Sequence, residues 1–371
     1  MSVVRKGCAV VTCLAVLAGA CGGGGDEDAA VTTTTRAGRF PPAVASTSIV
    51  APAPGATTTT VRSGRGSTST TRRAGAAATT TTERRALSPP VPTPAPEPRT
   101  EVAGTAWRGK IVVAGGLRGD GTSSDRVDMY DPSNGEWKRA PDFPVALHHT
   151  ALAVLGEDLW AVGGFTTAED KRWVAARATY RLPPNAKAWE PGPTLSRARG
   201  ALGLASVDDR LIAFGGATTE GDVLASVEVL VSDANDWAPG PPLTQAREHT
   251  AAMVFNGRAY AIAGRVGGLQ TNLTSVESWR PGEREWREEP NVDDPRSGTA
   301  ASAGCVAGGE ETERTIATIE CLAGDRWQTR FRLREPRHGL AAVVVAGYLH
   351  LIAGGPSPGL SVSSAHEIFA L

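Results

Sequence analysis

Lys110-Ile111-Val112-Val113-Ala114-Gly115-Gly116 opens the stretch that decides the fold. An apolar run stops at two glycines. After a polar loop come Val127-Asp128-Met129-Tyr130, the turn Asp131-Pro132-Ser133-Asn134-Gly135, and then Glu136-Trp137. Apolar runs punctuated by Gly, Pro and Asn predict strand, turn, strand, tight turn and strand. One such unit would mean little, but this one repeats. The run into glycines recurs as Ala161-Val162-Gly163-Gly164, Ala213-Phe214-Gly215-Gly216, Ile262-Ala263-Gly264-Arg265, Val306-Ala307-Gly308-Gly309 and Ile352-Ala353-Gly354-Gly355. Counting the first glycine of each, the six copies recur every 44 to 52 residues. Strand-type patterning at that period predicts propeller blades rather than a helical solenoid.

The downstream half repeats as well. Val127-Asp128-Met129-Tyr130 is matched by Val227-Glu228-Val229-Leu230, Val276-Glu277-Ser278-Trp279, Ile319-Glu320-Cys321-Leu322 and His366-Glu367-Ile368-Phe369. Copy two, Ala178-Thr179-Tyr180, lacks the acid. A tryptophan follows at Trp137, Trp189, Trp237, Trp286 and Trp327. Double glycine, then tyrosine, then tryptophan at this period resembles the Kelch repeat across residues 99–371. The resemblance implies an all-β, six-bladed β-propeller of four-stranded blades. Its glycines and aromatics would be blade architecture. Copy four departs with Gly264-Arg265, and copy five has a short first hairpin around Ser302-Ala303-Gly304. The last copy ends one strand short, so an outer strand from Pro89–Pro98 is expected to close the ring, irregularly if at all because of its prolines.

Residues 22–98 are rich in Thr, Ala, Pro, Gly and Arg, with almost no large apolar side chains, and are expected to form a disordered tether. Threonine runs such as Thr57–Thr60 make it a candidate for O-glycosylation. Residues 1–21 read as an export signal: Arg5 and Lys6, then an apolar run from Cys8 to Leu17, then Ala18-Gly19-Ala20-Cys21. That end resembles a bacterial lipoprotein signal with Cys21 as the lipidated residue, although Ala18-Gly19-Ala20 also fits ordinary signal cleavage. The chain is therefore expected to be exported and anchored to the outer face of the cytoplasmic membrane, or else secreted. Cys305 and Cys321 are left as an even pair, expected to form a disulfide in copy five. The net charge of −1 gives no field to steer nucleic acid.

The innermost strand of each blade should begin about sixteen residues before the glycines, where a basic residue stands in each copy: Arg99, His148, Arg199, Arg247, Arg296 and Arg337. On one rim of a channel these would form a ring for a carboxylate, sulfate or phosphate, which arginine grips in bidentate fashion. Kelch adaptor domains are similar here, using arginines at this point to bind acidic peptides. The bland alternative is that the arginines bond loop carbonyls or the repeated acids Asp128, Glu228, Glu277, Glu320 and Glu367. His148, His149, His249 and His338 also fall near the rim. Adjacent strand residues point to opposite faces, so no metal site is expected there.

The expected function is a monomeric Kelch-repeat binding protein. It would present a basic channel mouth to an extracellular protein or an acidic glycan, without a cofactor. The alternative is a carbohydrate-active enzyme such as a sialic-acid mutarotase, a class of exported six-bladed Kelch propellers; beyond the rim arginines only Glu248 speaks for it. Galactose oxidase, a copper enzyme on a Kelch propeller, resembles the chain in fold only. A cluster of perturbed carboxylates and histidines in the channel would favour an enzyme. An open rim with exposed aromatics or arginines would favour binding.

Overall fold

The computed structural model describes residues 91–371. Cys21 and the rest of residues 1–90 lie outside them. Six antiparallel sheets follow one another in chain order. Blade 1 runs Ala103–Trp107, Lys110–Ala114, Val127–Asp131 and Glu136–Arg139, from the innermost strand outward. Blades 2 to 5 repeat that order, their innermost strands being Ala151–Leu155, Gly203–Val207, Ala251–Phe255 and Ala300–Ser302. Blade 6 has three strands, Ala341–Val345, Tyr348–Ile352 and His366–Ala370. Each innermost strand lies against the next, and the sixth lies against the first. The chain is thus an all-β, six-bladed propeller with no α-helix among the described residues. Blade 2 carries one extra hairpin, Phe165–Thr167 with Trp173–Ala175.

Small side chains on the innermost strands let six blades meet at an axis. Gly104, Ala106, Ala153, Ala205, Ala252, Ala301 and Ala342 line a central cavity of about 350 Å³. The second strand of each blade is the most apolar. Ile111, Val112, Val113 and Ala114 are fully buried, and so are Leu211 to Phe214. Burying such side chains contributes about 1.5–3 kcal/mol each, so the second strands dominate the core.

The glycines after those strands are required by crowding. A Cβ on Gly115 would lie 2.4 Å from the carbonyl oxygen of Leu147 in the next blade. One on Gly116 would lie 2.6 Å from that of Thr100 in its own blade. The backbone shifts the sequence alignment by one residue in two copies. Ala263 and Ala353, at φ 54° and 60°, stand where Gly115 stands at 64°. Gly264 and Gly354 therefore match Gly116, and Arg265 matches Leu117: Arg265 bridges Glu248 as Leu117 bridges Thr100.

The tryptophans clasp neighbouring blades. Indole Nε1 of Trp189, Trp237, Trp286 and Trp327 donates to the carbonyls of Pro141, Pro193, Pro241 and Pro290 at 2.8–2.9 Å. Trp137 donates in the same way to Thr93, at 3.0 Å. Residues 91–98 thus do part of the work of the missing outer strand of blade 6, although no strand forms there. Ala95 N donates to Ser364 O at 2.8 Å and Tyr130 OH to Val91 O at 2.7 Å, which ties this segment of the expected tether to blades 6 and 1. Its proline content, with no N–H to offer a ladder, explains the irregularity. Cys305 and Cys321 sit opposite each other in register and are joined by a disulfide within blade 5.

Candidate functional site

Five of the expected rim residues are scaffold. Arg99, Arg199, Arg247, Arg296 and Arg337 have no exposed surface. Each reaches from the start of its inner strand into its own blade. Arg199 Nη1 donates to Gly215 O and Ser226 O at 2.9 Å, and its Nη2 donates to Glu228 at 2.8 Å. Arg99 with Asp128, Arg247 with Glu277, Arg296 with Glu320 and Arg337 with Glu367 repeat the arrangement. Most of the acids also accept backbone N–H groups from the incoming loop, as Glu277 does from Thr244 and Gln245. The expected ring of ligand-binding arginines is thus corrected. Each guanidinium faces a carboxylate and carbonyls inside a blade, where an external anion has no access.

Blade 2 lacks the brace. Gly116 N bonds Leu147 O just as Gly164 N bonds Arg199 O, so Leu147, not His148, occupies the arginine position. Tyr180, opposite Ala161, takes the place that Glu228 holds opposite Ala213. Arginine and acid are lost together, so neither charge is left buried alone. A buried unpaired charge would cost several kcal/mol.

Two residues further along, a second ring closes the channel mouth. Glu101, His149, Ala201, His249, Gly298 and Gly339 all have φ between 49° and 59°. Backbone N–H groups link them from blade to blade: His149 to Glu101, Ala201 to His149, His249 to Ala201, Gly298 to His249, and Gly339 to Gly298. Val102 N, donating to Gly339 O, completes the circle. Glycine adopts this left-handed conformation freely, whereas other residues pay on the order of 1 kcal/mol. Blades 1, 2 and 4 place Glu or His there nonetheless. Strain of this kind is often retained where a side chain has a task.

Those three side chains converge on the axis, with donor atoms all within 4.8 Å of one another. His149 Nε2 lies 2.8 Å from His249 Nε2 and 3.1 Å from Glu101 Oε2. His338 Nδ1 contacts Glu101 Oε1 at 3.0 Å. Arg265 joins Glu248, Glu310 and His249 Nε2, and His249 Nδ1 faces Glu248. Burial alone would raise the Glu101 carboxyl, but His149 and His338 against it hold it well below its usual value. Glu248 is lowered in the same way, by His249 and Arg265 against the pull of burial. Burial pushes His149 well down and His148 down to about 3. His338 runs the other way: burial would lower it, but its bond to Glu101 and the nearby Glu310 raise it.

Above the cluster is a pocket of about 260 Å³, lined by Trp173, Leu269 and Leu360 as well as the polar groups. Trp173, on the extra hairpin of blade 2, places its ring 4.9 Å from that of His149 and is 38% exposed. Val266 and Leu360, on the corresponding loops of blades 4 and 6, are 41% and 53% exposed. A larger hollow of about 520 Å³ lies at the other end, between blades 2 and 3, lined by Asp158, Arg181, Asp233 and Asn235. Those groups are surface residues without a converging buried cluster, so the mouth is the candidate site.

Sequence reasoning placed His149, His249 and His338 near this rim but missed Glu101, Arg265, Glu310 and Trp173. A sixteen-residue count back from Gly163 lands on Leu147, and the same count from Ala263 lands on Arg247. That register would have separated the arginine ring from the site.

Comparison with known proteins agrees with the repeat. The Kelch motif matches residues 98–144 and 246–292. The chain is similar to Kelch-like protein terF of Aspergillus terreus, 26% identical over 73% of this chain and 64% of that one. It is also similar to Kelch-like protein 36 of Rattus norvegicus, 28% identical over 40% of this chain and 25% of that one. The chain thus spans less than two thirds of the length of these relatives. A solved structure titled "Structure of YjhT" superposes with a TM-score of 0.67 at 11% identity, over 75% of this chain and 96% of that one, a likeness of fold. Six blades, the glycine and tryptophan pattern and these similarities support a Kelch-repeat β-propeller across residues 91–371, with the motif itself matched in blades 1 and 4.

Proposed function

We propose that this propeller is an interaction module whose docking surface is the channel mouth, and that its partner is a protein. Similarity to Kelch-like proteins supports an interaction role, and one observation favours the mouth as its surface. Trp173, Leu269 and Leu360, from alternate blades 2, 4 and 6, line a pocket with a charged floor, and Trp173 and Leu360 expose apolar surface there. Apolar anchors around a concave polar centre suit a protein segment that inserts side chains. With the arginines buried, an acidic glycan is the weaker alternative. The test is a photo-reactive residue in place of Leu360, compared with one in place of Val231 beside the opposite hollow. A discrete crosslinked partner from the Leu360 position alone supports the mouth. Capture from the Val231 position alone moves the site to the other end.

Export and a lipid anchor at Cys21 belong to the same proposal, and the Cys305–Cys321 disulfide supports an oxidising compartment. Lipid labelling that Cys21→Ser abolishes is the expected result; unchanged labelling rejects it. The buried acids and histidines of the mouth are also what the alternative, a carbohydrate-active enzyme, would use. Sialic-acid mutarotation abolished by Glu101→Gln would favour that alternative, and its absence in the wild type leaves the interaction role.

A further inference from the structure

We propose that Glu101, His149 and His249 bind one divalent transition-metal ion of the zinc class, on the propeller axis at the floor of the mouth pocket. The donor atoms are His149 Nε2, His249 Nε2 and a Glu101 carboxylate oxygen. The separations of 2.8 and 3.1 Å from His149 Nε2 to the other two are slightly shorter than the roughly 3.3–3.6 Å between tetrahedral ligands of one ion at about 2.0–2.2 Å, so a small spreading of the side chains would admit it. Each donor is already oriented from behind. His249 Nδ1 faces the Glu248 carboxylate, His149 Nδ1 faces His148, and the second oxygen of Glu101 meets His338. A carboxylate on the far nitrogen of an imidazole is the common outer partner of a ligating histidine, because it fixes the tautomer and strengthens the ligand.

Charge points the same way. Glu101, Glu248 and Glu310 lie buried in the cluster; Arg265 pairs with Glu248 and Glu310, and His338 lies beside Glu101 and Glu310. An excess of buried negative charge is costly, and a divalent ion offsets it. Arg265 lies 3.1 Å from His249 Nε2 and would give up that contact while keeping both carboxylates. Three protein ligands beneath an open pocket leave a position for water or for a donor atom from whatever docks above. The site does not depend on the docking reading, since an ion could bind with no partner at the mouth.

The probe is Zn²⁺ titrated calorimetrically into the chelator-treated full chain, with Co²⁺ absorption as a second readout. The expected result is one equivalent bound, with cobalt bands showing nitrogen ligation. His149→Gly and His249→Gly each put in place the residue that blades 5 and 6 already carry at that point, Gly298 and Gly339, so both variants should fold. Each should weaken binding by about a hundredfold or more. His350→Asn, in the separate buried pair His350–His366, should leave binding unchanged. If the wild type binds no stoichiometric ion, or if binding survives both glycine variants, the proposal fails. Should a glycine variant not fold, the wild-type cobalt spectrum decides, and bands without nitrogen ligation overturn the site.

Discussion

Two rings encircle the mouth of this propeller, only two residues apart in each blade, and they differ in kind. One is Arg99, Leu147, Arg199, Arg247, Arg296 and Arg337; the other is Glu101, His149, Ala201, His249, Gly298 and Gly339. The first is nearly uniform and wholly buried, and each of its five arginines is paired with an acid of its own blade. The second is uniform in backbone and varied in side chain. A feature that every blade needs must recur in every blade. A site on the axis of a ring needs only one set of groups, supplied unequally by different blades. Repetition therefore marks the scaffold, and departure from repetition at a shared backbone position marks the candidate site.

The largest expected effect comes from breaking the first ring. Arg199→Met leaves Glu228 buried without its cation, and a loss of about 3–5 kcal/mol is expected, read as a fall in unfolding midpoint. The double variant Arg199→Leu/Glu228→Tyr copies what blade 2 already has and should recover part of that loss. A double variant no better than the single would show that the acid matters mainly through its bonds to Ser196 and Arg197. Next comes the disulfide of blade 5. Cys305→Ala with Cys321→Ala opens a loop of sequence separation 16 and should cost roughly 3 kcal/mol by chain entropy, measured by chemical denaturation.

A smaller effect concerns acid. Burial lowers His350 and His366 to about 4 and His148 to about 3. Between pH 6.5 and 4 the unfolded chain binds protons that these folded imidazoles refuse, so stability should fall as pH falls through that window. The melting temperature should decline across it, and His350→Asn should flatten the decline. His338 acts in the opposite sense and in another window. Its raised pKa gives stability that is complete below pH 6.5 and is lost as pH rises through the folded value.

Much of the fold was legible because blade physics is periodic. Glycines recur where a neighbouring carbonyl comes within 2.3–2.6 Å of where a Cβ would be, as at Gly308, Gly163 and Gly215. Tryptophans recur where an indole spans two blades. The site was less legible because it is assembled across blades. Glu101, His149 and His249 come from blades 1, 2 and 4, and Arg265 was hidden by a one-residue slip when Gly264 was taken for the first glycine of its copy. Trp173 belongs to a hairpin that no other blade has, so no repeat could announce it. The arginines misled for the converse reason: a strong basic pattern at one rim looks like a surface until the matching acids are placed within hydrogen-bond distance of it.

The most direct measurement is thermal unfolding of two variants from the same blade, Arg247→Met and His249→Gly. If the first ring is scaffold and the second is site, Arg247→Met should lower the melting temperature sharply, by roughly 2–4 °C for each kcal/mol lost. His249→Gly should lose much less, because relief of the left-handed strain offsets part of the lost contacts to Glu248 and His149. A collapse of His249→Gly beside an unaffected Arg247→Met would contradict the division between the rings.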